Sequence, residues 1–216
     1  MGTWVGAIVE THGRADFPAI AAKHRIAAPE AVKPWVLVDG YFGLSTLVPP
    51  LFAEALSRDL QGTVIAFFVQ ETASVEQIEH WENGQLMRKL EHSDSGGWVT
   101  QQGTPRDWEP VYFFAEDEGT AEGQKWPLNL DDELTDEELA RYNRARAQRD
   151  ASGIMDLLRG GSAWQLERLC AHFGLNPRQP DARYTPPKTW KLQIIVAAII
   201  VFLVGSFLLG ILSHRS

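Results

Sequence analysis

The residues in this chain whose types and spacing suit chemistry gather around one hairpin. Val75–Glu82 and Gln85–His92 read as strands joined by Asn83-Gly84, a pair that supplies the two positive-φ positions of a type I′ turn. A regular two-residue turn sets Trp81 opposite Leu86, Glu79 opposite Arg88 and Gln77 opposite Leu90. Val75, Trp81, Leu86 and Leu90 then share the inner face; Glu76, His80, Glu82, Gln85, Lys89 and Glu91, with Ile78 and Met87, share the outer one. A carboxylate opposite a guanidinium on the inner face could floor a small polar binding site. At a sheet margin the same pair is ordinary cross-strand stabilisation of about 0.2–1 kcal/mol, the commoner case. Trp108, Glu109 and Trp126 lie downstream in or beside turns, where side chains reach ligands or partners. The candidate binding residues are therefore Glu79, Arg88, Trp108, Glu109 and Trp126.

Other chemistries find less support. The same register sends His80 and His92 to opposite faces, so they cannot share a metal ion, and the other histidines lack a second ligand at metal spacing. No metal or other cofactor is expected. Asp131-Asp132-Glu133 lacks the alternation and central glycine of a calcium loop. Gly160-Gly161-Ser162 could offer backbone amides to an anion, but without a lysine at P-loop spacing it reads as a turn and helix cap. Cys170 falls on the apolar stripe of a helix and is expected to be inert. There is no GxSxG, HExxH, GxGxxG or CxxC motif, so no catalytic residue is assigned.

The elements that must position these residues follow from hydrophobic periodicity. Strands are expected over Thr3–Glu10, Pro34–Asp39, Thr63–Val69, Trp98–Gln101 and Pro110–Phe114. Thr63–Val69 is apolar without alternation, as in a strand buried on both faces. Helices are expected over Asp16–Arg25 and Pro50–Leu60. Thr135-x-x-Glu138 is a capping box opening a helix to about Arg149, a short helix covers Ile154–Leu158, and Ser162 with Gln165 forms a second box ahead of a helix stopped by Gly174. The fold class is α+β: a mixed sheet ending in an antiparallel meander, two helices, a helical C-terminal extension and one C-terminal transmembrane helix. The expected divisions are an α+β domain over 1–115, an acidic connection and helical extension over 116–175, a Pro/Arg-rich tether over 176–191, the transmembrane helix over 192–212, and a short tail over 213–216.

One stretch resembles a pattern in uncharacterised bacterial α+β proteins. It has a helix ending in an LSR-like turn, a buried strand, a W-x-N-G-x-L-x-R-x-L-like hairpin and a W…G.P..WE-like close. The matching residues are Leu56, Ser57, Arg58, Trp81, Asn83, Gly84, Leu86, Arg88, Leu90, Trp98, Gly103, Pro105, Trp108 and Glu109. The resemblance covers about a quarter of the chain and implies an α+β domain, with no activity attached.

The net charge of −8 is unevenly placed: Glu116 to Glu138 holds ten acids against Lys125 alone. The chain has no basic face for nucleic acid, so no nucleic-acid partner is expected. Leu192–Leu212 has no charged residue, and at about 1.5 Å per residue such a helix spans roughly 30 Å, the thickness of a bilayer's hydrocarbon core. Arg178, Arg183, Lys188 and Lys191 precede it and only Arg215 follows, which places the N-terminal side in the cytoplasm. Trp190 and Lys191 suit the membrane interface, and Ser206 with Gly210 makes a small-xxx-small pair for helix contact.

The reading that unites these features is a tail-anchored, single-pass protein of the inner (cytoplasmic) membrane. Its cytosolic α+β domain acts as a non-enzymatic protein-interaction module, with the bilayer and a protein partner or membrane complex as its expected associates. One rival is an accessory subunit assembled through its span; another is an enzyme on a small polar substrate at Glu79 and Arg88.

Overall fold

The computed structural model describes residues 2–29, 31–39, 52–114 and 134–185. Among these residues there are eight strands: β1 (Thr3–Glu10), β2 (Ile26–Ala27), β3 (Trp35–Asp39), β4 (Thr63–Gln70), β5 (Val75–Glu82), β6 (Gln85–Ser93), β7 (Gly97–Gly103) and β8 (Ala182–Tyr184). The same residues hold five α-helices: α1 (Phe17–Lys23), α2 (Ala53–Leu60), α3 (Glu109–Phe113), α4 (Asp136–Gln148) and α5 (Ala163–His172). All eight strands form one sheet in the order β2-β8-β3-β1-β4-β5-β6-β7, antiparallel throughout except for β3 with β8. The α+β class and the mixed sheet ending in a meander are as expected.

Both faces of the sheet are covered, and this explains the unbroken apolar runs. Along β1 and β4, Ala7, Val9, Val64 and Ala66 pack against Phe17 and Ile20 of α1 and Ala53, Leu56 and Leu60 of α2. Their alternates Ile8, Ile65, Phe67 and Val69 face the other way, into a larger core with Tyr112 and Phe113 of α3, Tyr142 of α4 and Leu166, Leu169 and Cys170 of α5. Successive side chains of a strand point to opposite faces, so a two-sided core demands apolar residues at every position. The described residues of 1–115 and of the expected extension thus share one core, with Leu134–Leu175 contributing to the second face.

Four expectations need correction. The expected strand Pro110–Phe114 is replaced by helix α3, which ends at Phe113: Pro110 sits in the first turn, where its missing N–H is no loss, and Tyr112 and Phe113 are buried against the sheet. Ala182–Tyr184 of the supposed tether is part of the sheet, since β8 lies between β2 and β3. Asp181 pins it there, accepting hydrogen bonds from the Leu37 amide at 3.0 Å and Lys33 Nζ at 2.8 Å. Around Ile154 a short 3-10 turn, Ser152–Ile154, replaces the expected helix. The Thr135/Glu138 capping box is present, but the second box is not: Ser162 takes the Trp164 amide while Gln165 donates to the Arg159 carbonyl.

The hairpin register departs from expectation by one residue. Trp81 pairs with Leu86, but His80 pairs with Arg88, leaving Met87 as a bulge. Beyond it Glu79 faces Lys89, Ile78 faces Leu90 and Glu76 faces His92. Because side-chain direction has a period of two, this single insertion exchanges the predicted partners of β5. Glu76, Ile78 and His80 face the larger core with Arg88, Leu90 and His92, while Trp81 packs on the opposite face.

Among the described residues no helix is long and apolar enough to cross a membrane. The expected span Leu192–Leu212, its residues Ser206 and Gly210, the flanking Trp190 and Lys191, Trp126 and the acidic segment before Leu134 all lie outside the described residues.

Candidate functional site

Glu79 and Arg88 do not meet. Glu79 lies on the face away from the larger core, accepting from Gln77 Nε2 at 2.9 Å and Trp81 Nε1 at 3.2 Å, with Lys89 Nζ at 3.5 Å. Arg88 is paired instead with Glu109, in a two-pronged contact at 2.9 Å on each oxygen, with both side chains under 5% exposed. The remaining Arg88 donors go to the Gly103 and Gln102 carbonyls, and Glu109 also accepts the Arg106 amide. Every charge-bearing group is satisfied, as a buried ion pair requires. This pair closes the loop from Gly103 to α3 onto β6 and offers nothing to a ligand.

A second tie holds the hairpin turn. Gly84 donates its amide to Ser57 Oγ at 2.9 Å, and its bare α-carbon lies against the Arg58 side chain, where a Cβ would come within 2.8 Å of Nε at a φ of +80°. The hairpin turn is thereby tied to the end of α2. Together with Arg88, Gly103, Trp108 and Glu109, these residues hold the fold.

Trp108, expected beside a turn and open to partners, is fully buried and donates its indole N–H to His80 Nδ1 at 3.0 Å. His80 Nε2 in turn lies 2.9 Å from Glu82, which also bonds Arg106. An indole N–H only donates, so Nδ1 must be the bare nitrogen and Nε2 carries the proton. Burial, aided by Arg106, pushes the His80 pKa down to about 4, keeping the ring neutral. Both nitrogens are spent on this relay, which backs a cleft of about 440 Å³ walled by Trp35 and Phe173.

His92 is built the other way. Contrary to expectation it shares a face with His80, four residues along the same two strands. Its Nδ1 lies 2.7 Å from the Ser74 carbonyl, which can only accept, so Nδ1 carries the proton and Nε2 the lone pair. Burial lowers its pKa, so this neutral tautomer persists. The ring is 8% exposed and stands edge-on to Trp98, in the wall of a cleft of about 1000 Å³. Asp94, Gln101, Asp156, Arg159 and Ser162 also line it, and Trp164 stands at the rim, 66% exposed.

Beneath the cleft Glu76 is wholly buried, bonded by the Tyr112 hydroxyl and, at 2.6 Å, by the Gly161 amide. Desolvation raises its pKa to about 8, so it is a neutral acid at pH 7. Gly160 and Gly161 are required here. A Cβ on Gly160 would lie 2.6 Å from the His92 ring, and one on Gly161 2.7 Å from the Ser74 backbone at a φ of +78°.

The cleft adjoins the sheet's edge. Among the described residues β7 is the last strand of the sheet, paired on its β6 side only, and its sequence GWVTQQG has neither a charged residue nor a proline. Glu91 faces Thr100 while His92 faces Trp98, so Val99 forms a bulge and is 59% exposed; Thr100–Gly103 runs in regular register beyond it.

Nucleophile and metal chemistry are poorly served. Burial pushes the Cys170 thiol up to about 12, leaving it protonated in the core. No group of three His, Cys, Asp or Glu among the described residues could hold a metal ion. His92 and Trp164 were not among the expected site residues; their aromatic and polar types were visible, but the bulge that brings His80 onto the face of His92 was not. The chain matches no family model, no curated protein and no solved structure.

Proposed function

We propose that this chain is a tail-anchored, single-pass membrane protein whose α+β domain, on the cytoplasmic side, binds a protein partner without catalysing a reaction. The observation that carries the binding assignment is the outer edge of β7, which no strand among the described residues pairs. An unpaired edge presents a row of backbone donors and acceptors, and proteins that must not pair usually guard it with lysine or proline. β7 has neither, and the exposed Val99 adds an apolar contact on the same strand. Edge pairing supplies affinity through main-chain hydrogen bonds, as in other strand-adding modules. The membrane assignment rests on the uncharged run Leu192–Leu212 and its flanking cations.

The internal saturation of the buried polar groups favours binding over catalysis. His80, Arg88 and Glu109 are each fully engaged within the fold. The enzyme reading at Glu79 and Arg88 loses its basis, because the two lie on opposite faces of the hairpin.

The test is purification of the full chain in mild detergent beside two variants. Val99→Lys with Gln102→Lys should lose a stoichiometric partner that the natural chain retains. Deletion of 192–216 should release the protein from the membrane fraction while leaving the partner bound. Repeated recovery of the natural chain alone, or a partner indifferent to the two lysines, would refute the binding assignment; a truncated chain still in the membrane would refute the anchor.

A further inference from the structure

We infer that the strand β7 receives is a basic one: an extended segment of another protein whose lysine or arginine side chains enter the cleft beneath Trp164. The inference rests on the reading of β7 as a partner-binding edge and names the chemistry of what pairs there.

The edge fixes where the partner's side chains go. Val99, Gln101, Gln102 and Gly103 are exposed, and among the described residues no strand pairs beyond them. Side chains of an added strand alternate between faces and lie beside those of the β7 residues they oppose. A residue opposite Gln101 therefore enters the cleft, which Gln101 lines. One opposite Thr100 or Gln102 lies over the polar face, where Thr100 bonds Glu91.

Carboxylates outnumber cations on both faces. In the cleft Glu71, Asp94 and Asp156 stand against Arg159, which already has an interaction of its own. Asp156 is held by Arg141 at 3.1 and 2.9 Å, whereas Asp94 is exposed in the β6–β7 turn and forms no ion pair among the described residues. His92 in the cleft wall adds no charge, since burial keeps it neutral. On the polar face one lysine serves two carboxylates: Lys89 Nζ lies 2.8 Å from Glu91 and 3.5 Å from Glu79. A cation on the incoming strand meets carboxylate on whichever face it points, and an anion meets repulsion.

Trp164 fits the same partner. Three large apolar side chains are exposed among the described residues, and two of them, Val99 and Trp164, belong to β7 and to the cleft beside it. The face of an indole attracts a guanidinium or ammonium group, and Trp paired with Arg is a frequent anchor of interfaces. The same charges disfavour other occupants. Two copies of this chain paired through β7 would set like carboxylates together, and the net charge of −8 repels nucleic acid while drawing a basic segment in.

The experiment titrates the full chain in phosphatidylcholine nanodiscs with three end-capped octapeptides that alternate valine with arginine, threonine or glutamate. Fluorescence anisotropy of a label on the peptide reports binding, with empty nanodiscs as the blank. The arginine peptide should saturate at least tenfold more tightly than the threonine one, the glutamate peptide should be weakest, and added salt should narrow the spread. Asp94→Lys should weaken the arginine peptide about tenfold and strengthen the glutamate one, an exchange of preference that a merely structural residue would not give. Trp164→Ala should weaken the arginine peptide about threefold. The arginine peptide built with D-valine keeps its composition and charge but cannot hold a strand, and should not saturate. Equal binding of the three peptides, preference for glutamate, saturation by the D-valine form, or saturation by none would overturn the proposal. Val99→Lys with Gln102→Lys separates the two readings. If the peptides are not discriminated while that variant still loses its co-purifying partner, the edge stands and the basic assignment falls; if the partner is kept, both fall.

Discussion

Replacing Glu76 with Gln should make the protein more stable at neutral and alkaline pH, although a buried hydrogen-bonded group is altered. The carboxyl sits in the core between the Tyr112 hydroxyl and the Gly161 amide, and desolvation lifts its pKa from the ordinary 4.5 to about 8. Below pH 4.5 folded and unfolded chains both hold the proton, and its full contribution to stability is present. As pH rises the unfolded chain releases the proton first, so stability is lost until the folded group also ionises near pH 8. At about 1.4 kcal/mol per tenfold change in proton affinity, the whole loss is about 5 kcal/mol. His80 acts in the opposite sense: its pKa, lowered to about 4, costs stability as pH falls below 6.5. Between 4.5 and 6.5 the slope of Glu76 is opposed by that of His80, to which His92 adds because burial lowers its pKa as well. Above about pH 6.5 Glu76 acts alone, and about 2 kcal/mol should be lost by pH 8. Glutamine keeps an acceptor for Gly161 and a donor for Tyr112 and cannot ionise. Urea unfolding across this range should show the natural protein weakening while Glu76→Gln stays level. A variant with the natural slope, or one destabilised more at about pH 8 than at about pH 6, would refute the account.

Further outcomes follow from the same geometry. Arg88→Met or Glu109→Gln alone should cost about 3–5 kcal/mol in urea unfolding by orphaning a buried partner, while Arg88→Met with Glu109→Leu should recover much of the loss. Gly103→Ala places a Cβ 2.0 Å from the Met87 carbonyl oxygen at a φ of +84° and should cost about 3 kcal/mol or more, with the loop to α3 exchanging its amides faster. Asp181→Ala strands the Leu37 amide and should cost about 1–3 kcal/mol, with β8 amides losing protection from hydrogen exchange. If the span also makes specific contacts, swapping 192–212 for an unrelated apolar helix should weaken assembly while leaving membrane retention intact; unchanged assembly would confine the span to anchoring.

The elements with strong local signals were legible in the sequence. Thr3–Glu10 is a strand with the expected bounds, Thr135 and Glu138 form their box, and the Asn83-Gly84 turn is where its chemistry requires. What failed depended on tertiary context. No local pattern announces the Met87 bulge, yet it parts Glu79 from Arg88 and brings His80 onto the same face as Arg88 and His92. Pro110–Phe114 has the aromatic and β-branched residues of a strand but is helical, because only a helix there lets Glu109 reach Arg88 while Tyr112 and Phe113 cover the sheet. β8 is three residues long and has no periodicity of its own; its place is fixed by strands far earlier in the chain. The candidate site was therefore legible as a region but not as a geometry. The hairpin and its close were singled out, while the cleft is formed by the other end of that hairpin and the first turn of α5.

The insertion of β8 between β2 and β3 sets a schedule for biosynthesis. The Leu37 amide waits for an acceptor 144 positions later, and both neighbouring strands stay incompletely paired until that segment leaves the ribosome. The first 110 or so residues can collapse around β1 and β4, but their sheet is completed by nearly the last residues of the domain. An emerging chain thus exposes an open sheet flank for most of its synthesis, the kind of surface that chaperones recognise. Residues 192–212 follow β8 within about ten positions, so on the proposed membrane-anchor reading the apolar run would emerge at nearly the moment the sheet can close.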